Sequence, residues 1–223
     1  MNLDRNLRYI QIAFNYSVDQ VRKVISRLRY DPRIIIEAGT PYIKREGMAG
    51  VRVIRNLYNG FIVADMKVTD GAAREVAFAR DAGANAVTAM GSAPVETLDI
   101  FNKVCKQMMV YSMIDMLGVV EPLKKLMRLK YKPQFVVIHK GRDEERNPRS
   151  MIRFKDINKV RSKFDVLISV AGGLDEENVR SAYFNGADVA ILNVVRTGDG
   201  TSGLKEIEDF NYLITKVLRE VGN

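Results

Sequence analysis

Three charged residues crowd the end of one short apolar run. In FIVADMKVTD, Phe61 to Asp70, four apolar residues lead into Asp65, Lys67 and Asp70. Alternate side chains on an extended strand share a face, so Asp65 and Lys67 are expected to point into the same space. There the carboxylate favours the ammonium form, and Lys67 becomes a donor able to stabilise an oxyanion or deliver a proton to a carbanion. Glu37, at the end of IIIEAG, adds a second carboxylate. Glu37 and Asp65 together are candidate ligands for magnesium, with manganese as the alternative, in a site that also takes substrate oxygens and spreads the charge of an enediolate. Plainer readings compete: an inward Asp65–Lys67 pair that only fixes register, and a Glu37 that only caps the next helix. Asp70 falls beyond the run, in TDGAAREV, where it reads as a helix cap.

Other polar residues carry related chemistry. His139, the sole histidine, stands in VVIHKGRD and is followed by Arg142. An imidazole there moves protons near neutrality, and a guanidinium forks onto oxyanions. In SVAGGLDEENV the pair Gly172 and Gly173 leaves backbone N–H groups open to an anion, or simply makes a turn before a helix.

Those residues need a scaffold that gathers them. Apolar runs of strand length recur at 9–15, 34–39, 61–68, 86–91, 108–115, 134–141, 166–173 and 189–194, separated by segments of helical periodicity such as VDQVRKVISRL and VETLDIFNKVCKQ. Continuously apolar strands alternating with helices predict a parallel sheet, and eight units predict a closed (β/α)8 barrel, an α/β fold in a single domain over residues 1–223. A doubly wound open sheet is the alternative, but no GxGxxG follows the first strand. In a closed barrel Asn15, Glu37, Asp65, Lys67, Asp115, His139, Gly172, Gly173 and Asn193, all at carboxyl ends of strands, converge on one mouth.

Composition narrows the classes. A chain of 223 residues, 47% hydrophobic, is long enough to bury a full core. One cysteine, Cys105, and one histidine exclude an internal disulfide and a Cys/His zinc cluster, so any metal rests on carboxylates. No run of about 18 apolar residues occurs and the start, MNLDRNLRYI, lacks an apolar signal stretch, from which a soluble, cytoplasmic protein with no membrane partner is expected. The net charge of +8 is scattered along helical segments without interleaved aromatics; it suits attraction of a small phosphorylated substrate better than nucleic acid.

Four stretches, IEAGTPYIKREG, VADMKVTDGAAREVAFARDAGANAVTAMGSAPVETL, VVIHKGRDEE and VAGGLDEENV, together resemble the orotidine 5'-phosphate decarboxylase superfamily in order and interval, over nearly the whole chain. The Asp-x-Lys-x-x-Asp motif is matched by Asp65, Lys67 and Asp70. Glu37, Gly39 and Thr40 match the Glu-x-Gly-Thr motif of the 3-hexulose-6-phosphate synthase and 3-keto-L-gulonate-6-phosphate decarboxylase branch. The resemblance implies magnesium, an enediolate intermediate and a homodimer in which Asp70 reaches the partner's site. IDMLGVVEP, with Asp115 and Gly118, resembles the synthases, and HKGRDEE combines their Gly141 with the decarboxylases' Arg142. The reaction implied is reversible addition of formaldehyde to D-ribulose 5-phosphate, with His139 moving protons. The alternatives are decarboxylation of a keto sugar acid phosphate or of orotidine 5'-phosphate, and an inactive barrel that binds a phosphorylated ligand. Three features depart from the branch: the mixed HKGRD, Asn15 in place of Asp, and Asn193-Val194 in place of a phosphate-gripping Gly-Arg or Gly-Gly, for which Arg196, with the backbone of Gly198 or Gly200, is the expected phosphate contact.

Overall fold

The structure is a computed structural model that describes residues 3–147, 149–206 and 209–220. The expected single domain is seen over these residues; the other positions of the 1–223 range lie outside the described residues. Eight parallel strands, β1 (Tyr9–Phe14), β2 (Ile34–Ala38), β3 (Phe61–Val68), β4 (Ala86–Met90), β5 (Tyr111–Asp115), β6 (Phe135–His139), β7 (Leu167–Ala171) and β8 (Val189–Val195), are hydrogen-bonded in sequence order. β1 also pairs with β8, with Tyr9 opposite Val189 and Ala13 opposite Asn193, and this closes the barrel. The (β/α)8 expectation therefore holds, and the open sheet is excluded. A two-residue strand, β9 (Leu204–Lys205), extends the edge of β8.

Helices cover the outside: α1 (Val18–Ile25), α2 (Thr40–Leu57), α3 (Ala72–Asp81), α4 (Val95–Gln107), α5 (Pro122–Met127), α6 (Lys155–Arg161), α7 (Val179–Phe184) and α8 (Phe210–Glu220). The eight barrel strands are buried on both faces over most of their length, as their apolar runs require: outward residues such as Ile10, Ile36 and Ile62 pack beneath the helices, and inward ones fill the barrel. The fifth strand begins later than the sequence pattern suggests. Met108 closes α4 and Met109 takes a left-handed φ of 57°, so MMV is helix end and turn, and the strand starts at Tyr111.

The barrel interior is divided along its axis. Toward the amino-terminal ends Tyr9, Ile35, Phe61, Met113 and Phe135 make an apolar plug, in which Tyr111 stacks edge-on between Phe61 and Phe135 at centroid distances of 5.4 and 5.8 Å. Toward the carboxyl ends the inward residues turn polar: Gln11, Glu37, Asp65, Thr88, Asp115 and His139. The plug is the floor of a cavity of about 430 Å³ that opens at that mouth. Among the described residues no helix is long and apolar enough to cross a membrane.

Candidate active site at the barrel mouth

Lys67 reaches the mouth by a route that strand alternation does not describe. The register between β3 and β4 slips between Ala64 and Val68, and Lys67 sits in the slip with a φ of 48°, a left-handed conformation costly for a side-chain-bearing residue. Its backbone N–H leaves the ladder and donates to Thr88 Oγ1 at 2.9 Å. The bulge re-aims the ammonium so that Nζ lies 3.2 Å from Asp65 Oδ1 and 2.5 Å from Asp115 Oδ2. Strain held by specific contacts at a functional position is the usual pattern for such outliers.

A continuous charged network runs from there over residues of three strands, β3, β5 and β6. Asp115, 2% exposed, accepts from Lys67 and also faces His139 Nδ1 at 2.9 Å, while its Oδ1 accepts from the Leu117 backbone N–H at 3.0 Å. Burial alone would raise the Asp115 pKa, but His139 and Lys67 outweigh it and hold the carboxyl well below the usual range. The same pairs act on the partners: burial opposes their charged forms, yet Asp65 and Asp115 raise Lys67, and Asp115 raises His139. Asp65 is surrounded by donors, accepting from Lys67 and from Thr88 Oγ1 (2.7 Å) on Oδ1, and from Thr40 Oγ1 (2.6 Å) and Thr40 N (3.3 Å) on Oδ2.

Glu37 stands apart from this network. It is buried in the cavity wall and accepts one hydrogen bond, from Gln11 Nε2. Burial, reinforced by the nearby Asp65 charge, pushes its pKa up to about 8, beyond what Gln11 and the more distant Lys67 and His139 offset. Gln11 is fully buried too, and its Oε1 has no partner. A carboxylate short of positive charge beside an orphaned amide oxygen is a set of hard donors that fits magnesium, which is usually held by one or two carboxylates with water and substrate completing the shell. Asp65, the carboxylate whose charge acts on Glu37, would be the second ligand. Among the described residues no cluster of three or more His, Cys, Asp or Glu forms a larger cage.

The remaining candidates divide. Asn15, Arg142, Gly172 and Asn193 line the cavity, and Asn15 Nδ2 donates to Asn193 Oδ1 at 2.9 Å across the β1–β8 seam. Gly173, Arg196 and Asp70 do not line it. Arg196 is exposed, with its guanidinium carbon 4.6 Å from the centroid of the Tyr16 ring. Asp70 is exposed as well and does not cap α3: the cap is Gly71, at φ 62°, without a side-chain bond. The helix-cap expectation for Asp70 is thus corrected; the left-handed Gly71 turns the chain before Asp70 can fold back over the first helical turn. Gln11, Thr88 and the motif residue Thr40 fix the carboxylates. Gln11 and Thr88 are not among the sequence candidates, although period-two alternation from Ala13 to Gln11 and from Ala86 to Thr88 marks them as inward.

The network, the solitary glutamate and the cavity occupy the positions that the sequence motifs mark. The model of the orotidine 5'-phosphate decarboxylase / HUMPS family matches residues 8–193. The chain belongs to this family. It is 36% identical over 214 residues, 95% of its length, to the "Bifunctional enzyme Fae/Hps" of Methanothrix thermoacetophila, and the match takes in 53% of that protein. The chain spans about half the length of the curated relatives it matches. Among solved structures, 3-hexulose-6-phosphate synthase from Salmonella typhimurium superposes with a TM-score of 0.81 at 25% identity, covering 96% of this chain and all of that one. The 3-keto-L-gulonate-6-phosphate decarboxylase of Vibrio cholerae superposes at 0.72 over 97% of this chain and all of that one; at 24% identity it speaks for the fold alone. Glu37, Asp65 and Lys67 of the two motifs face one cavity, and Asn15 and Asn193 form a neutral amide pair on one flank of it.

Proposed function

We propose that this chain is a lyase that makes and breaks a carbon–carbon bond in a sugar phosphate through an enediolate, with formaldehyde and D-ribulose 5-phosphate as the reactants. The observation that carries the reading is the Lys67–Asp115–His139 relay facing Glu37 within one cavity. An enediolate needs a base to remove a proton beside the carbonyl, and fixed positive charge where the oxyanion grows. His139 is the group able to exchange a proton near neutrality; Asp115 holds its Nδ1, which leaves Nε2 toward substrate. Lys67, kept cationic by two carboxylates, stabilises the oxyanion and does not serve as a base. Glu37, Asp65 and Gln11 would hold magnesium, which when bound would supply Lewis-acid charge to a developing oxyanion. The apolar plug below excludes water from the floor. The 36% identical relative named Fae/Hps supports the synthase direction.

Arg142 in the cavity wall favours a second reading, decarboxylation of a keto sugar acid phosphate, in which a guanidinium would meet the carboxylate or its product. A homodimer in which exposed Asp70 enters the neighbouring site belongs to the same proposal. Incubation with ribulose 5-phosphate, formaldehyde and magnesium is expected to yield a hexulose phosphate and consume formaldehyde. Carbon dioxide release from a keto acid phosphate, without formaldehyde consumption, would move the assignment to the second reading. No turnover in either assay, together with tight sugar phosphate binding, would make the barrel a binding protein.

A further inference from the structure

The turn after β7 is the natural seat for a substrate phosphate, but it is already occupied by an anion from the chain itself. Gly172 and Gly173 adopt φ of 118° and 65°, and a Cβ on Gly172 would stand 2.4 Å from the Lys140 carbonyl oxygen, so the ends of β6 and β7 are pressed together at glycine only. This brings the 3-10 turn Asp143–Arg146 over the β7 turn. The Glu145 carboxylate carbon and Oε2 lie 3.2 and 3.3 Å from the place a Gly173 Cβ would take, and the Gly173 backbone N–H is directed at that carboxylate. Gly172 and Glu145 line the cavity and Gly173 does not, because Glu145 stands in front of it. Burial raises the Glu145 pKa above its usual value, and Arg142, Lys140 and His139, which face the same spot, offset that only in part.

Its neighbour Glu144 is differently engaged. Glu144 accepts from the Gly141 backbone N–H and from Ser150 Oγ, both at 3.0 Å, and so holds the loop's own shape. The backbone N–H of Glu145 joins that loop through Gly141 O and Arg142 O, but among the described residues its carboxylate bonds to no other side chain. The loop can therefore keep its form while the Glu145 side chain swings out.

The geometry points to Glu145 as a specificity-determining gate: its carboxylate holds the Gly173 cradle in the absence of ligand, and the substrate's phosphate binds by displacing it. This rests on the sugar phosphate reading above. A carboxylate ligand would only exchange one monoanion for another, whereas a phosphate dianion brings a second charge and a third terminal oxygen to Arg142, Lys140 and the backbone. The gate thus selects phosphate esters over carboxylates.

The test compares the full chain with Glu145→Gln and Glu145→Ala, each first checked for an unchanged circular dichroism spectrum. Calorimetry with inorganic phosphate and with acetate is expected to give at least about tenfold tighter phosphate binding in both variants, and acetate binding that the wild type lacks. The Gly173 amide resonance is expected to move in Glu145→Ala and to return toward its wild-type position on adding phosphate. Equal phosphate affinity in all three proteins overturns the gate but leaves the phosphate site standing. A Gly173 resonance insensitive to both Glu145→Ala and phosphate overturns the gate and the phosphate seat together.

Discussion

From β3 to β6 the mouth is spanned by alternating charges, Asp65, Lys67, Asp115 and His139, each within hydrogen-bonding distance of the next. Across β8 and β1 the corresponding rim is spanned by one neutral amide pair, Asn193 and Asn15. The charged side is complete in itself: each carboxylate there has a cation and further N–H or O–H donors. The neutral side offers no cation to Glu37, which stands between the two and carries the raised pKa of about 8. An electrostatic deficit at one carboxylate, beside a network with none, separates the groups that need only each other from the group that needs something bound. Under the proposed function the charged half is preorganised for proton transfer and oxyanion stabilisation, and the Glu37 flank is where metal and substrate would complete the site.

Removing Lys67 should break the comparison most severely. Lys67→Met keeps the aliphatic stem but leaves Asp65 and Asp115 facing each other without the cation between them. A loss of about 3 kcal/mol of stability at neutral pH, read by urea denaturation, is expected, with turnover falling by roughly 10²-fold or more. Full activity in a folded Lys67→Met protein would reduce the network to a structural device. Asp115→Asn comes next. His139 is the sole imidazole, so its titration by NMR needs no assignment. Asp115 now raises the His139 pKa against the effect of burial, so the variant's value should fall, and the rate profile should shift toward lower pH with it. The same carboxylate stabilises the fold above its unfolded pKa of about 3.9, and that contribution should fade as acid reaches its depressed folded value.

These two effects follow from contacts that the sequence shows only in part. The eight strands were legible because each is a largely apolar run of strand length between segments of helical periodicity; FIVADMKV is bounded at Phe61 and Val68 as its pattern indicates, and only the fifth begins late, at Tyr111. Gathering Glu37, Asp65, Lys67 and His139 at one mouth follows from barrel closure alone. The way Lys67 gets there does not: the left-handed bulge arises from pairing between β3 and β4, a long-range constraint that no local propensity for Met-Lys-Val encodes. Asp115 was visible as a strand-end carboxylate, but its position between two cations depends on the relative height of β3, β5 and β6. Asp70 misled for the opposite reason: Thr-Asp-Gly-Ala is a good local capping sequence, and the left-handed Gly71 overrides it.

Glu37→Gln sharpens the comparison by removing the deficit. A carboxyl whose folded pKa is raised from 4.5 to about 8 keeps its proton in the fold while the unfolded chain loses it. Wild-type stability in metal-free solution should therefore fall as pH rises from about 4.5 to about 8, then level off. Glu37→Gln should lack this slope: its melting temperature should match wild type near pH 4.5 and exceed it above pH 8. Magnesium should raise the wild-type melting temperature at high pH and leave the variant unchanged. A variant with the same slope as wild type would place the source of the pH dependence elsewhere.

The smallest effect is expected on the neutral flank. Asn15→Asp restores the charge that the family resemblance places there, but it removes the Nδ2 donor, so Asn193 must turn its own amide N–H toward the new carboxylate. One hydrogen bond replaces another of greater charge, and the net change in stability at neutral pH should stay within about 1 kcal/mol. The informative readout is the ion: an added carboxylate just past β1, the neighbour of β2, should tighten magnesium binding if the neutral seam is what limits the affinity of the Glu37 flank. Unchanged magnesium affinity with an unchanged melting temperature would mean that the amide pair serves to close the β1–β8 seam, and that Gln11 and Asp65 alone set what Glu37 can hold.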